Sequence, residues 1–285
     1  MKVLISGAGG FVGRELARHF SARHEVLALR RDDLDITNQQ SVGRLILNER
    51  PALIINCAVL GVDACESDPE RAWTVNVSGA QSLAAAASEV RAELVHFSSN
   101  YVFDGKREAG TFYTINDKPA PTNVYGKTKL AGERAACEAS RRTYIVRTSW
   151  VFDSGKDNFA SNAPRLLMAA QPLRAVTDVW ASTIYVADLV VRLEEILARR
   201  HYGIYHVVNE GVCSYYEFAL EVAYNLGMTK GEIGRLIEPV KESEMQRPSL
   251  RPRYTPMKCL LSERLGLAPM RDWRKALSEF LQYLR

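Results

Sequence analysis

Long apolar runs are missing from this 285-residue chain. No stretch approaches the roughly 18 apolar residues that a membrane span needs. The opening Met1-Lys2-Val3-Leu4-Ile5-Ser6 runs straight into glycines and is too short for a secretory leader. A surplus of one charge is also missing: 37 Lys+Arg stand against 33 Asp+Glu, a net of +4. A dedicated nucleic-acid binder carries a stronger and more clustered basic excess. The densest basic stretch, Arg247 to Arg253, is short and broken by Pro248 and Pro252. It reads as a solvated loop or as a small pocket for a phosphorylated ligand. Cysteines number five (Cys57, Cys65, Cys137, Cys213 and Cys259), an odd count at scattered spacings with no CxxC or Cys/His pattern. Neither a disulfide framework nor a metal site is indicated. The expectation is a cytoplasmic protein with reduced thiols and no membrane or nucleic-acid partner. No internal repeat or low-complexity segment is evident.

What is present is an ordinary globular composition, 47% hydrophobic and 25% charged. Strand-like and helix-like segments alternate. Lys2–Ser6, Glu25–Leu29, Ala52–Asn56, Glu93–Ser98 and Tyr144–Thr148 read as strands. Between them, Phe11–Phe20, Asn38–Leu47, Pro69–Ser88 and Tyr125–Ser140 have helical periodicity, the third unusually rich in alanine. Such alternation implies parallel pairing through right-handed crossovers. The fold class is therefore α/β, a doubly wound parallel sheet (Rossmann-like) with a small C-terminal substrate-binding region. After Trp150 the pattern loosens. Asp153–Lys156 reads as a loop, Phe159–Ala170 as a helix, Leu173–Val176 as a strand and Val186–Arg199 as a long helix. Gly203–Val208 reads as a strand, Cys213–Gly227 as a helix capped by Ser214, and Trp273–Leu284 as the last helix. Residues 1–148 form the expected dinucleotide-binding domain, rejoined by about 174–208. About 149–173 and 209–285 form the substrate region.

The first strand ends in Gly7-Ala8-Gly9-Gly10-Phe11-Val12-Gly13, a GxxGxxG turn that opens the first helix. Glycines there allow a tight turn and close approach of backbone to pyrophosphate, which the helix N-terminus attracts. The residue after the second strand usually reads the adenosine ribose, an acid favouring NAD and an arginine favouring the 2′-phosphate of NADP. Here Arg30-Arg31 precede Asp32-Asp33. Arg30 faces the ribose in this register and NADPH is preferred; a shorter strand would put Asp32 there, which leaves NADH open. Asp35 and Ile36 follow at a distance that flanks the adenine.

Tyr125 and Lys129 share one face of a helix, four residues apart. A nearby lysine and a cationic nicotinamide would both lower the tyrosine pKa from near 10. Lys129 can also hold the nicotinamide ribose. Ser98-Ser99, at the end of the fourth strand, places a hydroxyl where the crevice should lie and where it can polarise a carbonyl.

These residues resemble the extended short-chain dehydrogenase/reductase family, and the longer blocks resemble its dTDP-4-dehydrorhamnose reductase branch. Ser98-Ser99-Asn100-Tyr101-Val102-Phe103-Asp104-Gly105 is similar to STDYVFDG of the branch. Asn123 to Glu133 is similar to NVYGxSKLAGE, and Arg147 to Phe152 to RTSWVY. Gly203 to His206, Cys213 to Phe218 and the tail from Arg251 to Trp273 also fit. The resemblance implies NAD(P)H-dependent reduction of the 4-keto group of a nucleotide-linked 6-deoxyhexose. It implies Tyr125 as general acid, Lys129 as its electrostatic partner and Ser99 as carbonyl donor. Asn100, Tyr101 and Trp150 would line the sugar pocket, and Asn56, Ala58 and Asn76 the cofactor floor. Arg251 or Arg253 would meet the sugar diphosphate, and a homodimer is possible. Departures are equally plain. Asn100 replaces an aspartate, Ser99 a threonine, and the loop from Asn56 to Glu66 is one residue shorter and lacks an aromatic and a lysine. A sister reductase of another 4-ketosugar is one alternative. A non-catalytic NADP-binding subunit, like the regulatory subunit of methionine adenosyltransferase, is another.

Overall fold

The computed structural model describes residues 1–155 and 157–284. Lys156, at the end of the expected loop, and Arg285 lie outside the described residues. The first half runs β1 (Lys2–Ser6), α1 (Phe11–Ser21), β2 (Glu25–Leu29), α2 (Gln39–Glu49), β3 (Leu53–Asn56), α3 (Val62–Ser67) and α4 (Pro69–Trp73). A π-helical turn, Thr74–Ser78, leads into α5 (Gly79–Glu89), followed by β4 (Glu93–Ser99), α6 (Val124–Ala139) and β5 (Thr143–Thr148). The second half runs β6 (Val151–Phe152), α7 (Phe159–Met168), β7 (Leu173–Val176), β8 (Trp180–Ala181), β9 (Ile184–Tyr185), α8 (Val186–Arg199) and β10 (Gly203–His206). It continues through β11 (Cys213–Ser214), α9 (Tyr215–Asn225), α10 (Lys230–Leu236), β12 (Ile237–Val240), β13 (Tyr254–Thr255), α11 (Leu260–Arg264) and α12 (Trp273–Leu284).

Six strands form one parallel sheet in the order β10-β5-β4-β3-β1-β2. The interior strands are mostly apolar because helices cover both faces, with β3 (Leu53-Ile54-Ile55-Asn56) the plainest case. Val3, Ile5, Leu53, Ile55, Tyr144 and Val146 enter one core, and Leu4, Ile54, Leu94 and Ile145 enter the other. That split is the period-2 alternation of a strand with two buried faces. The order reverses between β1 and β3, the point at which α/β sheets open a crevice beyond their carboxyl ends.

Of the segment expected to rejoin the sheet, β10 pairs with β5, and α8 packs beside the sheet's helices. Leu173–Val176 instead pairs with β12, and β8 joins β11 and β13 in a small separate sheet. The expected single helix at Pro69–Ser88 is broken by the π turn, where Asn76 bonds outward to Leu60 and Thr128. Such bulges insert an extra residue to aim a side chain. Cys213–Ser214 is a strand, and Ser214 caps the helix that follows with a reciprocal bond from Glu217.

Helix α6 approaches the turn after β4 closely; a Cβ on Gly126 would lie 2.1 Å from the Tyr101 carbonyl oxygen. It is tied down by a buried ion pair. Arg147 of β5 donates to both carboxylate oxygens of Glu133, at 2.8 and 2.7 Å, with the two side chains 3% and 4% exposed. Ser98 of β4 donates to the same carboxylate. Removing one partner of such a pair costs about 3–5 kcal/mol, whereas replacing both with apolar groups is often neutral. Arg147→Met should therefore lose about that much stability in urea unfolding, and adding Glu133→Met should recover most of it. Equal losses in the single and double variants would contradict this account.

Candidate active site

The glycine turn is a backbone cradle. Gly7 has φ +70°, and a Cβ there would lie 2.5 Å from the Ala58 amide nitrogen. Only glycine meets both conditions at once. Gly10 caps α1 without a side-chain acceptor, no acidic residue sits in the first turn, and Gly13 is buried within it. The positive end of the helix dipole is therefore uncompensated by side chains. A cavity of about 280 Å³ opens beside the turn, lined by Gly7, Gly9, Gly10, Arg31, Asp35 and Ile36 among others. Asp35 accepts from the Thr37 amide and hydroxyl at 3.0 and 2.7 Å, which holds its carboxyl below the usual range.

A second cavity, of about 290 Å³, lies at the ends of β4 and β5. Val12, Asn56, Ser99, Asn100, Tyr101, Tyr125, Lys129 and Trp150 all line it. Cys57, Ala58 and Val59 line both cavities, so the two form one crevice along the strand ends. The crevice suits an extended ligand with an anionic middle and a polar far end. The Ser149 hydroxyl, on the wall of the second cavity, is buried without a hydrogen-bond partner among the described residues. An orphaned hydroxyl of this kind is what a bound polar group would complete.

Tyr125 and Lys129 sit where the spacing expects them, on the first turns of α6, which Asn123 caps through its side chain. The expected lowering of the tyrosine pKa is not found in the free protein. Burial pushes Tyr125 up to about 12, and the hydrogen bond from Ser99 works against that. Burial outweighs the neighbours because a phenolate loses its solvation here. At neutral pH Tyr125 is thus a phenol and a proton donor. Burial also lowers Lys129 to about 8. Glu133, one turn on, is occupied by Arg147, and Lys129 forms no ion pair among the described residues. Its ammonium remains available for hydroxyls in the cavity. Tyr101 meets Tyr125 edge-on at 5.5 Å.

Other expected residues sit differently. Asn56 lines the cavity, but its amide is engaged: it accepts from Ser6 and from the Ala58 amide and contacts His96. Asn76 lines neither cavity; it accepts from the Leu60 amide at 2.8 Å and donates to Thr128 at 3.0 Å, clamping the loop whose Ala58 and Val59 form the floor. Phe11 and Val12 are partly buried against the core, and Val12 also lines the cavity. Arg30 lies over Gly9, and Arg31 takes the place on the cavity wall beside Arg71. Arg251 is already paired, donating to both oxygens of Asp63 at 2.9 and 2.8 Å. It therefore braces the C-terminal segment against α3 instead of presenting a free guanidinium. Trp150 lines the cavity with φ +33° and stacks on Tyr215 at 3.8 Å. Non-glycine residues hold that conformation at a cost, usually at functional sites. Sequence reasoning missed Arg71, Cys57 and Val59, which carry no local signal.

A family model described as RmlD substrate binding domain matches residues 1–285. The chain belongs to this family. The RmlD substrate binding domain family thus accounts for its full length. The chain is 38% identical over 282 residues to a dTDP-4-dehydrorhamnose reductase of Mycolicibacterium smegmatis, covering 98% of this chain and 84% of that protein. It is 36% identical to the spore coat polysaccharide biosynthesis protein SpsK of Bacillus subtilis, covering 99% and 97%. Among solved structures, the dTDP-4-dehydrorhamnose reductase of Bacillus anthracis in complex with NADP aligns with a TM-score of 0.92 and 33% identity, covering 99% of each chain.

The buried Lys129 carries a pH signature. Its pKa is about 8 folded, against 10.5 ordinarily. Below about pH 8 both states hold the proton, and the folded state bears the full cost of the buried charge, about 3 kcal/mol. Between pH 8 and 10.5 the unfolded chain binds more protons, so this cost fades and stability rises with pH. Lys129→Met should accordingly be more stable than the parent at pH 7 in urea unfolding, with the difference shrinking toward pH 10.5. A difference that stays constant across this range would refute the burial argument.

Proposed function

We propose that the protein reduces the 4-keto group of a nucleotide-linked 6-deoxyhexose, converting dTDP-4-dehydrorhamnose to dTDP-rhamnose, with NADPH as the preferred donor and NADH as a weaker one. The observation that carries this reading is the meeting of Ser99, Tyr125 and Lys129 in one cavity continuous with the glycine cradle. Relatives of this chain that bear the reductase name, one of them solved with NADP, support it. A pure binding module has no use for that trio. The five cysteines are unpaired, which fits a cytoplasmic setting.

When bound, NADPH supplies the hydride. Gly7, Gly10 and the start of α1 receive its pyrophosphate, and Asp35 and Ile36 flank the adenine. Arg31, with Arg30 beside it, meets the 2′-phosphate. Lys129, charged at neutral pH, holds the ribose hydroxyls at the far end. Ser99 donates to the sugar carbonyl oxygen and strengthens that bond as negative charge builds there, where preorganised donors act most. Tyr125 then gives its proton to the same oxygen. Lys129 stabilises the tyrosinate left behind. Tyr101, Asn100 and Trp150 form the wall against which the sugar rests, and Arg251 braces the C-terminal segment against α3 through Asp63.

Tyr125→Phe should lower kcat by about 10²–10⁴-fold, the usual worth of a general acid. Its NADPH affinity, read by fluorescence titration, should stay near that of the parent. Unchanged turnover would remove Tyr125 from the role. Arg31→Ala should reduce the kcat/KM preference for NADPH over NADH by about tenfold, since charge-assisted bonds to phosphate are the strong ones. Arg30→Ala should reduce it less; the reverse ranking would return the 2′-phosphate to Arg30. If the parent enzyme binds NADPH yet turns over no dTDP-4-keto-6-deoxysugar, the functional reading fails.

A further inference from the structure

Ser6, Asn56 and His96 are lateral neighbours on β1, β3 and β4, in register across the sheet. They form a polar row, 0%, 2% and 1% exposed, so water does not replace their partners. The backbone amide of Ala58 can only donate, and it lies 3.1 Å from Asn56 Oδ1. That end of the Asn56 side chain is therefore the oxygen. Its second lone pair takes the Ser6 hydroxyl at 2.9 Å. The nitrogen end then faces His96 Nδ1 at 3.1 Å, and an amide nitrogen can only donate. Nδ1 must be the bare nitrogen of the ring. Burial, with the Lys129 charge adding to it, holds His96 well below its ordinary pKa, so the ring is neutral and its one proton sits on Nε2.

That proton has no acceptor. Nε2 is buried without a hydrogen-bond partner among the described residues. A buried donor left unpaired costs stability, and an apolar side chain would avoid the cost. What the imidazole returns is the acceptor at Nδ1. It holds one end of the Asn56 amide, and the other end holds the Ala58 amide. Ala58 lines both cavities of the crevice, between Cys57 and Val59. Its amide nitrogen also abuts the glycine turn, 2.5 Å from where a Cβ on Gly7 would stand. An Asn56 side chain free to turn would release this floor. His96 itself lines neither cavity. We propose that His96 is a positioning residue for the cofactor: its ring fixes the Asn56 amide, whose oxygen fixes the Ala58 floor against the glycine turn. This rests on NADPH as the occupant of the crevice.

The test compares His96→Leu with His96→Asn. The two side chains have nearly the same shape and leave the same space behind. Only asparagine puts an acceptor at the δ position, where Asn56 Nδ2 can reach it. His96→Leu should weaken NADPH binding about five- to tenfold in fluorescence titration, the worth of about one hydrogen bond. His96→Asn should stay within about threefold of the parent. Stability should run the other way, because asparagine buries an amide nitrogen with no acceptor and leucine does not. In urea unfolding His96→Leu should therefore be the more stable of the two. An affinity order that follows the stability order, or a His96→Leu variant that binds NADPH like the parent, overturns the proposal. Nitrogen-15 NMR of the parent gives a readout that needs no variant. A bare Nδ1 and a protonated Nε2 on His96 support the assignment, and the opposite tautomer overturns it. Should the parent bind no NADPH, the functional reading fails, and the His96 tautomer alone decides whether the ring sets Asn56.

Discussion

The Arg147–Glu133 pair is the contact on which the site depends. Glu133 lies one turn beyond Lys129 and two beyond Tyr125 on α6, and Arg147 and Ser98 reach it from β5 and β4. A helix held by apolar contact alone can slide or roll by a fraction of a turn. A buried bidentate pair admits one register, because any other leaves a charge unpaired in the core. Three sequence blocks, those around Ser98, Glu133 and Arg147, thus meet at one point. That point lies behind the reacting groups, not among them.

With the register fixed, burial sets the chemistry. The same desolvation raises Tyr125 and lowers Lys129. The result is a neutral phenol beside an ammonium that is charged at neutral pH yet unpaired. Arg147 takes the carboxylate that would otherwise neutralise Lys129. The cost of the unpaired cation falls on stability, and the gain is an ammonium free for ligand hydroxyls. Trp150, held at positive φ against Tyr215, is a second strained element on the same wall.

Much of the fold was legible because its signals are local. Short apolar runs read as strands, and β1, β2 and β7 fall at their expected limits. Helices long enough to show a period, such as α8 and α12, do too. The short elements α3, α10, β8 and β13 were not legible, since two to seven residues hold too little pattern. The π turn was hidden because what breaks the helix is Asn76 reaching a distant loop.

The site divides along the same line. Sequence by itself determined the glycine turn, the Tyr125/Lys129 face and the Ser99 strand end, because each is a short-range geometry that a few adjacent residues impose. Only the tertiary structure decided that Arg31 lines the crevice while Arg30 lies over Gly9, that Asn76 clamps a loop, that Arg251 is spent on Asp63, and that Asn100 meets Thr255. Those facts depend on which groups lie within about 3 Å across tens to hundreds of positions of chain. Spacing along a sequence carries no record of such distances, since folding alone brings the partners together.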